Sequence, residues 1–204
     1  MHSDILTKTQ ADLLPLVKQF NSSFYLVGGT ALALQLGHRR SIDFDLFTDK
    51  AFDSISIRTT IKKQHHTINR ILIETKTEFT LFVDNIKMTF YVYPYAMKHQ
   101  INFEKIVSLP DIITIAAMKA FALGRRAKWK DYVDLYFILQ HYSLKEIVSK
   151  ARKYYPAGEF DEKLFREQLA YFKDLDYSEP IEYMPGFAVD ESLIKKNLTE
   201  ISLA

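Results

Sequence analysis

Asp43 and Asp45 are separated by one residue in a segment that reads Ser41-Ile-Asp-Phe-Asp-Leu-Phe-Thr48. On a strand this spacing points both carboxylates to one face and sends Phe44 and Leu46 to the other, towards a core. Two carboxylates on one face repel each other unless a cation lies between them. Mg2+ suits such a pair, because it binds through one or two carboxylates together with substrate phosphates. Shortly before them stands Val27-Gly-Gly-Thr-Ala-Leu-Ala-Leu34. Gly28 and Gly29 lack a Cβ, so their amides can approach a triphosphate closely, and Thr30 opens a helix whose first N–H groups favour anions. A GGT alone is usually a tight turn, and a DxD alone is usually a solvated strand edge. The order strand, glycine turn, helix, basic loop and acidic strand is far more specific, since it puts a phosphate cradle and a metal site on one short piece of chain.

The elements that must position these residues fall into two compositional halves. Up to about Pro94, short β-branched and aromatic runs alternate with helical patterns. The spacing predicts a helix ending over 13–20, a strand over 24–27, a helix over 30–36 stopped by Gly37, and a strand over 42–47. A helix over 54–63 follows, then strands over 68–75, 79–83 and 86–93, the last two joined at Asp84-Asn85 as a hairpin. Beyond Ser108 almost everything reads as helix. Ser108 to Asp111 matches a capping box opening a helix that reaches about Gly124, and further helices are expected over 130–140, 144–155 and 162–173. Residues between the halves read as a linker, and the tail around Pro180, Pro185 and Gly186 carries no readable element. The expected fold class is α+β: a catalytic lobe over 1–95 with a mixed sheet flanked by helices, then a helical lobe over 96–204.

Composition limits the alternatives. The 204 residues are 48% hydrophobic and 14% aromatic, enough for a substantial core and against disorder. There is no cysteine, which excludes disulfides, thiol catalysis and cysteine-held zinc and fits a cytoplasmic location. No signal-peptide pattern opens the chain and no stretch approaches the roughly 18 apolar residues of a membrane span, so no membrane partner is expected. A formal net charge of +2 does not argue for nucleic acid by itself. Local clusters at 38–40, 62–63 and 125–130 are where phosphate contacts could form. The adjacent His65 and His66 would point to opposite faces of a strand and read as surface or turn residues. Trp129 and the tyrosines could stack bases but are expected mostly in the core.

Gly28 to Leu34, His38 to Arg40 and Asp43 to Phe47 closely resemble the signature of the AbiEii/AbiGii-type toxins of the polymerase-beta-like nucleotidyltransferase superfamily. The resemblance extends to Ala116–Tyr136, AAMKAFALGRRAKWKDYVDLY, which is similar to that family's second motif: a lysine on one helix and K-D-x-x-D-L on the next. It implies an enzyme that moves a nucleotide from an NTP to an acceptor, RNA such as tRNA, as the toxin of a toxin–antitoxin pair, with an antitoxin protein as partner. By this resemblance Asp43 and Asp45 hold Mg2+ or Mn2+, and Lys119 neutralises phosphate charge. Gly28, Gly29, Thr30, Arg39, Ser41, Lys130 and Asp131 are expected at the nucleotide, and Asp134 in the catalytic set. Lys119 also lies in the apolar stripe of Ile112, Ile115, Ala116 and Leu123, where a lysine either snorkels or binds an anion. Lys130, four residues before Asp134, is placed to be its intrahelical partner. One departure stands out. Many members of the superfamily carry a third carboxylate on a later strand, and on the face of Lys87, Thr89 and Tyr91 that position falls on Thr89. Glu74, Glu78, Asp131 and Asp134 are the candidates to replace it. Loss of the carboxylate raises the alternative of a degenerate module that binds a nucleotide or RNA without turnover. Transfer to a small molecule such as an antibiotic is a weaker third reading.

Overall fold

The computed structural model describes residues 1–204, which divide into two compact units, Met1–Asp111 and Ile112–Ala204. The first unit opens with a short 3-10 turn and helix α1 (Lys8–Gln19), whose N-terminus is closed by a reciprocal capping box between Thr7 and Gln10. Strand β1 (Tyr25–Val27) runs directly into α2 (Gly28–Leu36), which ends at Gly37 in the left-handed conformation. Strand β2 (Phe44–Thr48) and α3 (Ser54–Lys63) follow, the latter capped by the Asp53 carboxylate accepting from the Ile55 and Ser56 amides.

Strands β3 (Ile68–Glu74), β4 (Glu78–Val83) and β5 (Ile86–Val92) complete a five-stranded sheet of order β1-β2-β5-β4-β3. The β4–β5 turn is Asp84-Asn85, both at positive φ, as a tight hairpin requires. Only β2 and β5 pair in parallel, so the sheet is mixed as the sequence predicts. Strand β3 forms its outer edge and carries two register shifts against β4. One sheet face is the core: Phe44, Leu46, Phe79, Leu81, Val83, Met88 and Phe90 are buried. Phe20 at the end of α1 packs edge-on against Phe90, with ring centroids 4.9 Å apart. The opposite face carries the half-buried Asp43, Asp45, Phe47, Lys87, Thr89 and Tyr91.

Residues read as a linker instead form a two-stranded hairpin, β6 (Ile101–Phe103) and β7 (Val107–Leu109), with β7 lying beside β1. The unit boundary accordingly falls at 111/112, later than the expected 95/96. Ser108 belongs to β7, so the expected capping box does not form, and α4 runs Ile112–Leu123.

The second unit is helical: α4, α5 (Trp129–Leu139), α6 (Leu144–Tyr154), α7 (Glu162–Leu169) and α8 (Glu191–Leu203). Helix α4 is apolar nearly all round and is its central element, in contact with α5, α6 and α7. Helix α8 lies within the tail that has no readable element in the sequence. It is capped by Asp190 and buries Ile194 and Leu198. No helix is long and apolar enough to cross a membrane.

Candidate active site

The glycine turn and the acidic strand are held together by one buried side chain. Thr30 is 1% exposed, and its hydroxyl donates to the Asp43 carbonyl at 2.5 Å while lying 3.0 Å from Ser41 Oγ. Gln10, fully buried on α1, donates its side-chain amide to the Ser41 carbonyl at 2.8 Å. The loop leading into β2 is thus fixed from two helices. The Thr30 hydroxyl is committed to this loop.

Gly28 has φ +71°, a conformation that L side chains avoid, and a Cβ built on it would stand 2.4 Å from Asp45 Oδ2. The Asp45 carboxylate consequently lies directly over the glycine turn. At Gly29 a Cβ would meet Arg39 Nη2 at 2.6 Å and Ser41 Oγ at 2.8 Å. Arg39 is 4% exposed and donates from Nη1 to the Arg40 carbonyl at 2.8 Å. Gly28, Gly29, Thr30, Arg39, Ser41, Asp43 and Asp45 thus converge in this unit: first-turn helix amides, a guanidinium, a hydroxyl and two carboxylates. That combination can hold an anion beside a cation site.

The parallel register places Asp45 beside Thr89 and Phe44 beside Met88, which brings Asp43 next to Lys87. Lys87 Nζ lies 2.6 Å from Asp43 Oδ2. Lys87 escaped the sequence reading as a site residue because its neighbour is set by a parallel pairing that no local pattern encodes. Thr89 does occupy the face of the two aspartates, and its hydroxyl is 3.5 Å from that of Thr80 on β4. Neither suggested glutamate completes a carboxylate cluster. Glu74 accepts from Ser54 at 2.7 Å and pairs with Arg58, both on α3, and Glu78 accepts from the Thr80 hydroxyl at 2.9 Å. No group of three His, Cys, Asp or Glu residues suited to a metal ion forms anywhere in the chain. His65 sits in a turn with positive φ, and His66 Nδ1 pairs with Asp84 at 2.6 Å, in keeping with their surface reading.

In the second unit, Lys119 on α4 is 6% exposed and bridges two fully buried carboxylates of α5: Asp131 at 2.7 Å and Asp134 at 2.6 Å. Arg126 reaches Asp131 Oδ2 at 3.0 Å. Burial pushes the Asp131 carboxyl up, but Lys119 and Arg126 outweigh it and hold the group below the ordinary range. Lys119 is therefore a doubly paired cation and not a snorkelling one. Lys130 does not pair with Asp134 along the helix. It turns to Glu179, which also accepts from Lys128 at 2.6 Å, because Lys119 already occupies the carboxylate. Partial burial raises Glu179, and the two ammonium groups override that to bring it down to about 2. Trp129 is buried against Tyr132 and Tyr177 and is a core residue.

Solved structures share this architecture. A Helicobacter pylori protein provisionally described as a nucleotidyltransferase superposes with TM-score 0.63 at 17% identity, covering 96% of this chain and 92% of the other. MenT4, the nucleotidyltransferase toxin Rv2826c of Mycobacterium tuberculosis H37Rv, gives TM-score 0.59 at 16% identity, over 95% and 80%. At these identities the likeness establishes the fold of a nucleotidyltransferase.

In sequence, residues 16–97 match the family model described as nucleotidyl transferase AbiEii toxin, type IV TA system. The chain is also 34% identical over 205 residues to the uncharacterised protein aq_aa25 of Aquifex aeolicus (strain VF5), covering 96% of this chain and 97% of the relative. The chain belongs to the AbiEii family of nucleotidyltransferase toxins.

Proposed function

We propose that the protein transfers a nucleoside monophosphate from an NTP to an RNA acceptor such as tRNA, with Mg2+ or Mn2+, as the toxin of a toxin–antitoxin pair in the cytoplasm. The observation that carries this reading is the seating of the Asp45 carboxylate over the Gly28 turn, 2.4 Å from where a Cβ would stand. A hard-oxygen donor and an anion cradle thereby share one piece of backbone. The donor chemistry of Asp43 and Asp45 fits Mg2+, which requires oxygen ligands and accepts phosphate oxygens to complete its shell. When bound, the ion neutralises triphosphate charge and polarises the α-phosphorus for attack.

The chain's own residues do the rest. The first-turn amides of α2, with Arg39 and Ser41, orient the triphosphate so that the α-phosphorus faces the acceptor hydroxyl. Pyrophosphate leaves. By family resemblance Lys119 is assigned to phosphate charge, Asp134 to the catalytic set, and Asp131 and Lys130 to the nucleotide. These roles require Lys119 to exchange a buried carboxylate, and Lys130 its Glu179 partner, for phosphate.

The test is to incubate the protein with each of the four labelled NTPs, Mg2+ and total cellular RNA, alongside Asp43→Ala and Asp45→Ala variants. Label carried to RNA by the wild type alone is the expected result. A second reading, a module that binds without turnover, is favoured by Thr89 standing beside Asp45 where a carboxylate would complete the site. Triphosphate binding with no transfer to any acceptor would select it.

A further inference from the structure

Asp43, Asp45, Lys87 and Thr89 form one patch of two neighbouring strands, with Lys87 Nζ 2.6 Å from Asp43 Oδ2. We propose that Lys87 is a charge-neutralising residue of the transfer site, a built-in monovalent cation standing where a second divalent ion would otherwise be needed. The site then takes one divalent ion per bound triphosphate. This inference rests on the metal-dependent reading above.

The argument is one of charge and ligand number. Two divalent ions a few ångströms apart need carboxylates enough to offset their mutual repulsion and to bridge them. Here two carboxylates face one ammonium and the nearby Arg39 guanidinium, for a net charge of about zero, against about −2 with a third carboxylate in place of the lysine. With phosphate oxygens added, such a site can receive one divalent ion but gives poor support to two. No third carboxylate joins Asp43 and Asp45 in a ligand cluster, and Glu74 is engaged by Arg58 and Ser54. The position of Lys87 is also fixed rather than incidental. It lies between Ile86 and Met88, whose side chains are buried in the core, on a strand flanked on both sides, so its side chain must emerge on the Asp43 face. A lysine serves better here than a metal-binding residue, because its charge needs no loading and three N–H donors can serve a carboxylate and a phosphoryl oxygen together.

Mn2+ counted by electron paramagnetic resonance tests this, with and without each of the four α,β-methylene NTP analogues. The wild type should hold one Mn2+ per chain in the presence of an accepted analogue and bind Mn2+ only weakly without one. Lys87→Met should bind Mn2+ without nucleotide at least tenfold more tightly, because Asp43 is released, and should lose at least a hundredfold in kcat with a smaller change in KM. Lys87→Arg, which keeps the charge and guards against misfolding of the methionine variant, should retain the one-ion stoichiometry. Two Mn2+ per wild-type chain overturns the proposal and leaves the metal-dependent transferase standing. So does unchanged Mn2+ affinity and kcat in Lys87→Met. Absence of Mn2+ from wild type and variants with every analogue removes the metal-dependent reading itself, and this inference with it.

Discussion

The Asp45 carboxylate occupies the space in which the side chain of residue 28 would begin: a Cβ on Gly28 would lie 2.4 Å from Asp45 Oδ2 and 3.3 Å from its carboxyl carbon. The backbone there also has φ +71°. Gly28→Ala therefore meets two separate objections, an unfavourable dihedral and a collision with a group needed in place. The strain alone costs about 1–3 kcal/mol. Nucleotidyl transfer by Gly28→Ala should fall at least a hundredfold, and the melting temperature should drop. Gly29→Ala meets the ends of Arg39 and Ser41 side chains and has no positive φ, so it should be clearly more stable than Gly28→Ala. Equal melting temperatures for the two would refute this account.

Thr30→Val keeps the shape of the side chain and deletes the donor to the Asp43 carbonyl. With that part-buried carbonyl losing its donor, unfolding in urea should become easier by about 1 kcal/mol. Transfer activity should fall further than stability alone explains, since the loop carrying Asp43 is released on one side. Thr30→Ser should keep both near wild type, and a serine variant as impaired as the valine one would sink the role given to the hydroxyl.

Lys119→Met leaves Asp131 and Asp134 buried with only Arg126 as a charged neighbour among the groups described above. Breaking a buried pair from one side costs about 3–5 kcal/mol. The double variant Lys119→Met, Asp134→Asn should recover a large part of that loss, while remaining inactive. A double variant no more stable than Lys119→Met, measured by denaturant unfolding, would show that the charge argument is wrong.

Glu179 and Asp131 both have folded-state values below their ordinary ones. Each favours the folded state fully above its unfolded value and loses that contribution as pH falls towards its folded one. For Glu179 the window runs from 4.5 down to about 2. Stability of the wild type should therefore decline across that interval, and Glu179→Gln should flatten the decline there without changing its slope at neutral pH. An unaltered acid profile in the glutamine variant would contradict the assignment.

Much of the first unit is legible in the sequence because local chemistry dictates it. Glycine after the apolar run Phe24–Val27 forces the β1–α2 turn, alternation in Phe44–Leu46 fixes which way the carboxylates face, and Asp84-Asn85 specifies its hairpin. The β6–β7 hairpin is not legible, since each strand has three residues and its turn uses Glu104 and Lys105 at positive φ instead of a glycine or asparagine. Helix α8 is hidden by the irregular stretch before it, although Asp190, Ile194 and Leu198 carry a helical signature. The partners of Lys87 in the first unit and of Lys119 and Lys130 in the second depend on which elements pack together, and spacing along one element cannot supply that. For Lys119 it left snorkelling and anion binding equally open, and the outcome is an internal ion pair with two aspartates.

The two register shifts along β3 bear on how the sheet meets its surroundings. Ile71, Leu72 and Ile73 are exposed on that outer strand, a composition that ordinarily invites another strand to add alongside. An added strand presents donors and acceptors at an even beat, and β3, broken between Ile68 and Arg70 and again between Ile71 and Ile73, answers out of phase. The irregularity thus acts as a guard against fibre-like stacking, and straightening β3 would be expected to remove it.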